Sequence, residues 1–222
     1  MGDASGLFQP DPEFEALPAS EFLNPRRCGA AGEHRVTSRK SPDWWITPRE
    51  ATEALCEREI FRGTIWEPAC GDGAISKVLK SQGYAVRSSD LHRYGYGRSE
   101  VDFLRTRVLP AGVECIVTNP PFHSWTKFAQ HALDLGTRKV VLFGRLGALS
   151  GVERALTLYA MHNRLARSWV FSYRLTSVKG GLATDTPVGR GRIDYCWYVW
   201  ERHHRNSAQD WILPADALEQ EG

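Results

Sequence analysis

Apolar positions along this chain switch between helical and strand spacing several times. In "DWWITPREATEALCEREIFRG", Thr47-Pro48-Arg49-Glu50 reads as a capping box with proline at the first helical position, and Gly63 ends the helix. "GTIWEPACGDGAISKVLKSQG" reads as strand, glycine-bearing loop and helix, with Ile75, Val78 and Leu79 as the helical stripe and Gly83 as the stop. "YAVRSSDL" is a second strand ending at Asp90, and "ECIVTNPPF" is another. A helix follows through "SWTKFAQHALDLG", with Phe128, Ala132 and Leu135 on one face. "RKVVLFGRL" is a strand, "GVERALTLYAMHNRL" a helix, and "SWVFSYRL" and "DYCWYVWERH" two late strands separated by the glycine-rich "KGGLATDTPVGRGR". Strands alternating with helices predict an α/β fold with a parallel sheet, and the last two strands predict an antiparallel hairpin at one edge.

At 222 residues, 42% hydrophobic and 24% charged, the chain suits one ordered domain with a substantial core. Residues 1–40 are rich in Pro, Gly, Ala and charge without sustained period, and are expected to form a flexible arm whose basic end (Arg26, Arg27, Arg35, Arg39, Lys40) can touch a polyanion. The ordered domain is expected over residues 41–210, with residues 211–222 as a tail. No apolar run reaches membrane-span length, and acidic residues among the first 25 argue against a transit peptide, so a cytoplasmic protein without a membrane partner is expected. Five widely spaced cysteines (Cys28, Cys56, Cys70, Cys115, Cys196) show no ligand spacing, which points to reduced thiols and no metal. The net charge of +2 does not announce a nucleic-acid binder. Between Phe143 and Arg192, however, eight basic residues face only Glu153 and Asp185, an excess able to follow a phosphate backbone.

In open α/β sheets, ligands sit beyond the carboxyl ends of the strands. "EPACGDG", Asp90, "VDFL" and "TNPPF" all fall in such places. Gly71 and Gly73 permit a tight turn and close backbone approach to a ligand, although the loop is neither GxGxxG nor a phosphate-binding loop with GK[ST]. An acidic residue at Asp90 can accept hydrogen bonds from both hydroxyls of a ribose. Asp102 can accept from an adenine amino group while Phe103 covers the ring; taken alone, that pair is ordinary loop and core.

"EPACGDGAI", "SSDL", "VDFL" and "TNPPF", in this order, resemble class I S-adenosylmethionine-dependent methyltransferases, and more narrowly those that modify adenine-N6 in DNA. "WWITP" and "DYCWYVWERH" resemble flanking segments of the small phage and prophage enzymes of that kind. The resemblance implies a single Rossmann-like domain with a seven-strand, mostly parallel sheet, a C-terminal antiparallel hairpin and helices on both faces. It also implies S-adenosyl-L-methionine as cofactor and a site-specific DNA adenine-N6 methyltransferase activity, in a bacterium or, for a phage enzyme, its host. Glu67, Pro68, Cys70, Gly71, Asp72 and Gly73 would cradle the methionine side. Asp90 would hold the ribose with Leu91 beside the adenine, Asp102 and Phe103 would bind that adenine, and Trp45, Thr47 and Pro48 would close over the methionine end, with Asn119 adjoining both ligands.

The chemistry of Asn119-Pro120-Pro121-Phe122 has a physical basis. An exocyclic base amine is a poor nucleophile because its lone pair is delocalised into the ring. The Asn119 side-chain oxygen and the Pro120 carbonyl can accept its two N–H groups and free the lone pair, while the prolines hold the acceptors in place. Phe122 offers a stacking face to a base rotated out of the duplex. Acceptors that stabilise the developing charge remove the need for a dedicated base, so neighbouring His123 receives no role. The same geometry suits RNA adenines and the glutamine amide of a translation factor, so those acceptors stay open, as does a binding module that has lost catalysis. A nicotinamide oxidoreductase is disfavoured by the missing GxGxxG. Target reading is expected from Phe122, Arg145 and the loop 179–192, chiefly Lys179, Arg190 and Arg192.

Overall fold

The computed structural model of the chain describes residues 45–160, 165–176, 178–179, 193–204 and 208–212. The expected arm over residues 1–40 lies outside the described residues, as do Arg190 and Arg192. In chain order the elements are β1 (Trp45–Ile46), α1 (Arg49–Arg58), β2 (Thr64–Glu67), α2 (Ala74–Ser81), β3 (Val86–Ser88), β4 (Val113–Thr118) and α3 (Trp125–Asp134). They continue as β5 (Lys139–Arg145), α4 (Val152–Arg154), β6 (Arg167–Phe171), β7 (Val178–Lys179), β8 (Tyr195–Glu201) and β9 (Ala208–Ile212).

Seven strands form one sheet in the order β3-β2-β4-β5-β8-β6-β9. The first four are parallel, β8 runs antiparallel to both β5 and β6, and β9 lies parallel to β6. The predicted antiparallel pair is therefore β6–β8, but β9 continues the sheet beyond it and crosses the expected boundary at residue 210. β9 escapes the sequence pattern because Ala208, Gln209 and Asp210 are exposed, so an edge strand shows little apolar alternation. Two-residue β1 pairs antiparallel with two-residue β7 in a separate ribbon.

Strand β8 is inserted between two antiparallel neighbours and is buried from Tyr195 to Trp200. Its side chains alternate between two cores, as strand geometry requires. Tyr195, Trp197 and Val199 join Val141, Phe143, Ala51, Leu55, Ile75 and Leu79, so α1 and α2 cover that face. Cys196, Tyr198 and Trp200 join Val140, Leu142, Phe128, Ala129, Ala132 and Leu158 on the other, under α3 and the turn after α4. That last helix is irregular: Val152–Arg154 is α-helical and Ala155–Ala160 widens into a π-helix. Helices on both faces agree with the expectation.

Two local expectations are corrected. Helix α1 ends at Arg58, because Glu59 is extended, and Gly63 instead sits in the link to β2 with φ +65. The capping box does not form; no side chain caps α1, and the Thr47 hydroxyl is engaged elsewhere.

Glu59, only 2% exposed, ties the end of α1 to the sheet. It accepts from Lys139 Nζ at 2.7 Å, Arg167 Nε at 2.6 Å and Trp169 Nε1 at 3.0 Å. Arg167 also reaches Glu201 at 2.6 Å. Burial alone would raise the Glu59 pKa, but the Arg167 and Lys139 donors outweigh it and hold the carboxyl below its ordinary range. Removing one member of such a network strands the others in a dry site. Glu59→Ala is expected to lower the unfolding free energy by about 3–5 kcal/mol in a urea titration. Arg49→Ala, which breaks an exposed pair with Glu53, should change it by less than about 1 kcal/mol.

Candidate active site

The sheet order places β2 beside β4, with β3 outside β2 and β5 outside β4. The chain thus turns away in opposite directions from this pair, leaving a crevice at their carboxyl ends. One wall is the loop from Pro68 to Gly73 after β2, and the other is Asn119–Phe122 after β4.

Gly71 and Gly73 have φ of 54 and 83, the left-handed region that favours glycine. The loop is fastened to β3: Cys70 N–H donates to Ser89 C=O at 3.0 Å, and Gly71 N–H donates to Asp90 Oδ2 at 2.9 Å. Asp90 Oδ1 accepts from His92 N–H at 2.8 Å. Asp90 therefore braces the glycine loop, and each of its oxygens retains further acceptor capacity. Leu91 beside it is 52% exposed. Cys70 is buried, with its thiol pushed up to about 12 by desolvation and by neighbouring carboxylates, which makes it inert packing. Asp102 caps its own short turn through Leu104 N–H at 3.0 Å. Phe103, at 2% exposure, packs among Trp66, Phe128 and His131, so its ring belongs to the core and not to the crevice surface.

Glu67 ends β2 fully buried, accepting from Ser76 N–H at 2.9 Å and from the Ser76 hydroxyl. Desolvation is the leading cause that pushes its carboxyl up to about 8; the Ser76 bonds oppose this, and Asp72 and Asp90 add to it. Sequence reasoning missed Ser76, and also Tyr96. A Cβ on Gly73 would meet the Tyr96 ring at 2.4 Å, so the tyrosine occupies the space the glycine vacates. Lys77 and Lys80 place their ammonium groups 5.3 and 5.2 Å from the centre of that ring. The signal was present in "HRYGYGR", an aromatic-glycine alternation that starts two residues after Asp90.

Asn119 is fixed from outside its own loop. Its Nδ2 donates to Thr47 Oγ1 at 3.0 Å and to the Trp45 carbonyl at 3.3 Å. A carbonyl only accepts, so the amide nitrogen must face β1 and Oδ1 turns the other way. The Pro121 carbonyl is taken by Ser124 N–H at 2.9 Å, whereas no hydrogen bond reaches the Pro120 carbonyl among the described residues. Phe122 carries the Arg145 guanidinium 4.5 Å above its ring, with the Tyr195 ring centroid 6.4 Å away. Of the expected substrate residues, Phe122 and Arg145 thus meet, and Lys179 pairs through its backbone with Trp45. The space enclosed by Trp45, Thr47, Glu67, Asp72 and Asn119 measures about 20 Å³, room for a single water.

No protein-family model and no curated protein matches the chain. Solved structures do. A candidate RNA methyltransferase of Pyrococcus horikoshii aligns over 75% of this chain and 92% of its own, at 14% identity and TM-score 0.54. The chain has the Rossmann-like methyltransferase fold. A protein solved in work on the conversion of a disulfide bond into a thioacetal group during echinomycin biosynthesis aligns over 82% of this chain and 90% of its own, at 14% identity and TM-score 0.50. A Thermoplasma acidophilum protein aligns over 70% and 84%, at 15% identity and TM-score 0.49.

The Asn119 geometry predicts that Thr47→Val leaves the fold intact but shifts the Asn119 carboxamide NH₂ resonances in ¹⁵N–¹H spectra, because one hydrogen bond of about 1 kcal/mol is lost. Thr47→Ser should restore them. Glu67 predicts a pH effect. With its folded pKa near 8 and its unfolded pKa in the ordinary range, the folded state holds a proton that the unfolded state releases. Its stabilising contribution is complete below the ordinary range and is lost as pH rises through about 8. Glu67→Gln, permanently neutral, should flatten that part of the stability profile in denaturant titrations.

Proposed function

We propose that this protein transfers a methyl group from S-adenosyl-L-methionine to the exocyclic amine of adenine in DNA. The observation that carries the reading is the orientation of Asn119, whose amide nitrogen donates to the Trp45 carbonyl and the Thr47 hydroxyl and so leaves its oxygen to accept, next in sequence to a Pro120 carbonyl that no hydrogen bond reaches among the described residues. Two fixed acceptors at a strand end match the two N–H groups of a planar amine. When bound, the cofactor would supply a methyl group on a cationic sulfur.

The residues fit that cofactor by their chemistry. Glu67 and Asp72 line the crevice, where Asp72 suits a ligand bearing positive charge, Asp90 keeps acceptor capacity for ribose hydroxyls, and exposed Leu91 suits an adenine face. Pro68, Cys70, Gly71 and Gly73 shape the turn, and Trp45, Thr47 and Pro48 form the opposing wall. Asp102 has one carboxylate oxygen used by its own turn and the other left for the adenine amine. Phe103 contributes by packing behind the site.

On the acceptor side, Asn119 and Pro120 orient the amine and draw its N–H bonds away from the ring plane, freeing the lone pair. They then stabilise the positive charge that develops on nitrogen. Pro121 and the turn it starts hold Phe122, on whose face the base stacks; Arg145 covers the opposite face and adds charge for phosphates. Lys179, Arg190 and Arg192 belong to the loop assigned to target reading. Adenine in RNA is the second reading, favoured by the description of the Pyrococcus neighbour.

Labelled S-adenosylmethionine offered with duplex DNA, structured RNA or a protein extract separates these acceptors. Label should enter DNA adenine, and Asn119→Ala should cut the rate roughly 10²-fold or more while cofactor binding persists. Label in RNA or protein alone would transfer the reading to that acceptor, and none in any acceptor would leave a binding module.

A further inference from the structure

At the opposite end of the sheet, where β4 and β5 begin, lies a second cavity of about 310 Å³. Its floor is the neutral network already described, in which Lys139 and Arg167 are matched by Glu59 and Glu201. Its rim is not matched. Arg58, Arg62 and Arg138 add three guanidinium groups, while the lining holds no carboxylate beyond the two in the floor. Arg58 pairs with Glu57, whose side chain is 73% exposed, and Arg138 lies 4.0 Å from Glu114, also on the surface. Such pairs exchange readily with solvent and with ligands. Arg62 makes no ion pair among the described residues. Ile60, 77% exposed, is an apolar patch in the same wall.

Three guanidinium forks around one opening match the several acceptor oxygens of a phosphate, and each can bind bidentately. The volume lies at the lower end of the range for small-ligand pockets and exceeds what a bare phosphate needs. The exposed Ile60 side chain offers a surface for whatever the phosphate carries. We propose that this cavity is a second, non-catalytic site that binds a phosphate group. The source is either a small free phosphate compound or the phosphodiester backbone of a nucleic acid. The site stands apart from the crevice and does not depend on the reading given for it.

The test uses the full chain labelled at isoleucine methyls, titrated with inorganic pyrophosphate and with a ten-residue oligothymidylate, which lacks an exocyclic amine and so bypasses the Asn119 turn. Pyrophosphate should shift the Ile60 methyl signal, and Arg62→Ala/Arg138→Ala should weaken its binding at least tenfold. Arg62→Lys/Arg138→Lys should recover part of that loss. Both arginines are exposed, so the folded state should survive, as a thermal melt will verify. If a nucleic-acid backbone is the source, the oligothymidylate shifts the same methyl, and the slope of log affinity against log salt falls by about two in the alanine variant. If a free phosphate compound is the source, pyrophosphate alone does so. An Ile60 methyl that responds to neither probe, or pyrophosphate affinity unchanged within twofold in the alanine variant, would overturn the proposal.

Discussion

A tryptophan N–H buried inside a sheet must find an acceptor there, and much of this molecule is arranged around that requirement. Trp197, wholly buried in β8, donates to the Ala51 carbonyl at 2.8 Å and so pins the first turn of α1 against the sheet. That turn begins at Arg49, directly after Thr47 and Pro48. The indole therefore fixes the distance from the sheet at which Thr47 meets Asn119. On the other face, Trp200 donates to the Leu158 carbonyl, and Tyr198 donates to the Arg145 carbonyl at the end of β5. One strand thus holds, by three polar tips, the wall segment, the irregular helix and the residue that covers Phe122. Polar tips inside an apolar core specify position in a way that burial, which lacks direction, does not.

The middle strands and helices were legible because their patterns are local. Cys115–Val117, Val140–Phe143 and the Ile75/Val78/Leu79 stripe carry the periods of strand and helix without outside help. The glycine loop and Asn-Pro-Pro-Phe were legible for the same reason, since φ constraints are written in the residue types. What was not legible depended on partners distant in sequence. Thr47 before Pro48 reads as a helix cap, yet its hydroxyl serves Asn119, 72 positions away. Phe103 beside an acidic residue reads as a ring cover, and tertiary packing took it into the core. β1, β7 and β9 are short or largely polar, and their pairing with a neighbouring strand leaves little trace in the sequence pattern.

The two ends of the sheet show how the same residue types serve different purposes. At the carboxyl end carboxylates gather, and burial without a cationic partner leaves Glu67 reluctant to ionise. At the amino end the carboxylates Glu59 and Glu201 are surrounded by donors and remain ionised. The difference is the number of cationic hydrogen-bond donors each carboxylate faces, not the depth of its burial alone.

The pairing of Trp45–Ile46 with Val178–Lys179 also orders events during synthesis. A nascent chain that has emerged through residue 160 carries the glycine loop, Asp90 and the Asn-Pro-Pro-Phe turn, together with all four parallel strands that flank the crevice. It still lacks β7, and with it the only strand partner β1 has among the described residues. It also lacks β8, whose Trp197 anchors α1. Loop closure between positions 45 and 179 is among the longest contacts in the structure, and such contacts form late. Asn119 can already hold Trp45 and Thr47 at that stage, but β1 gains its strand partner only after residue 179 has emerged.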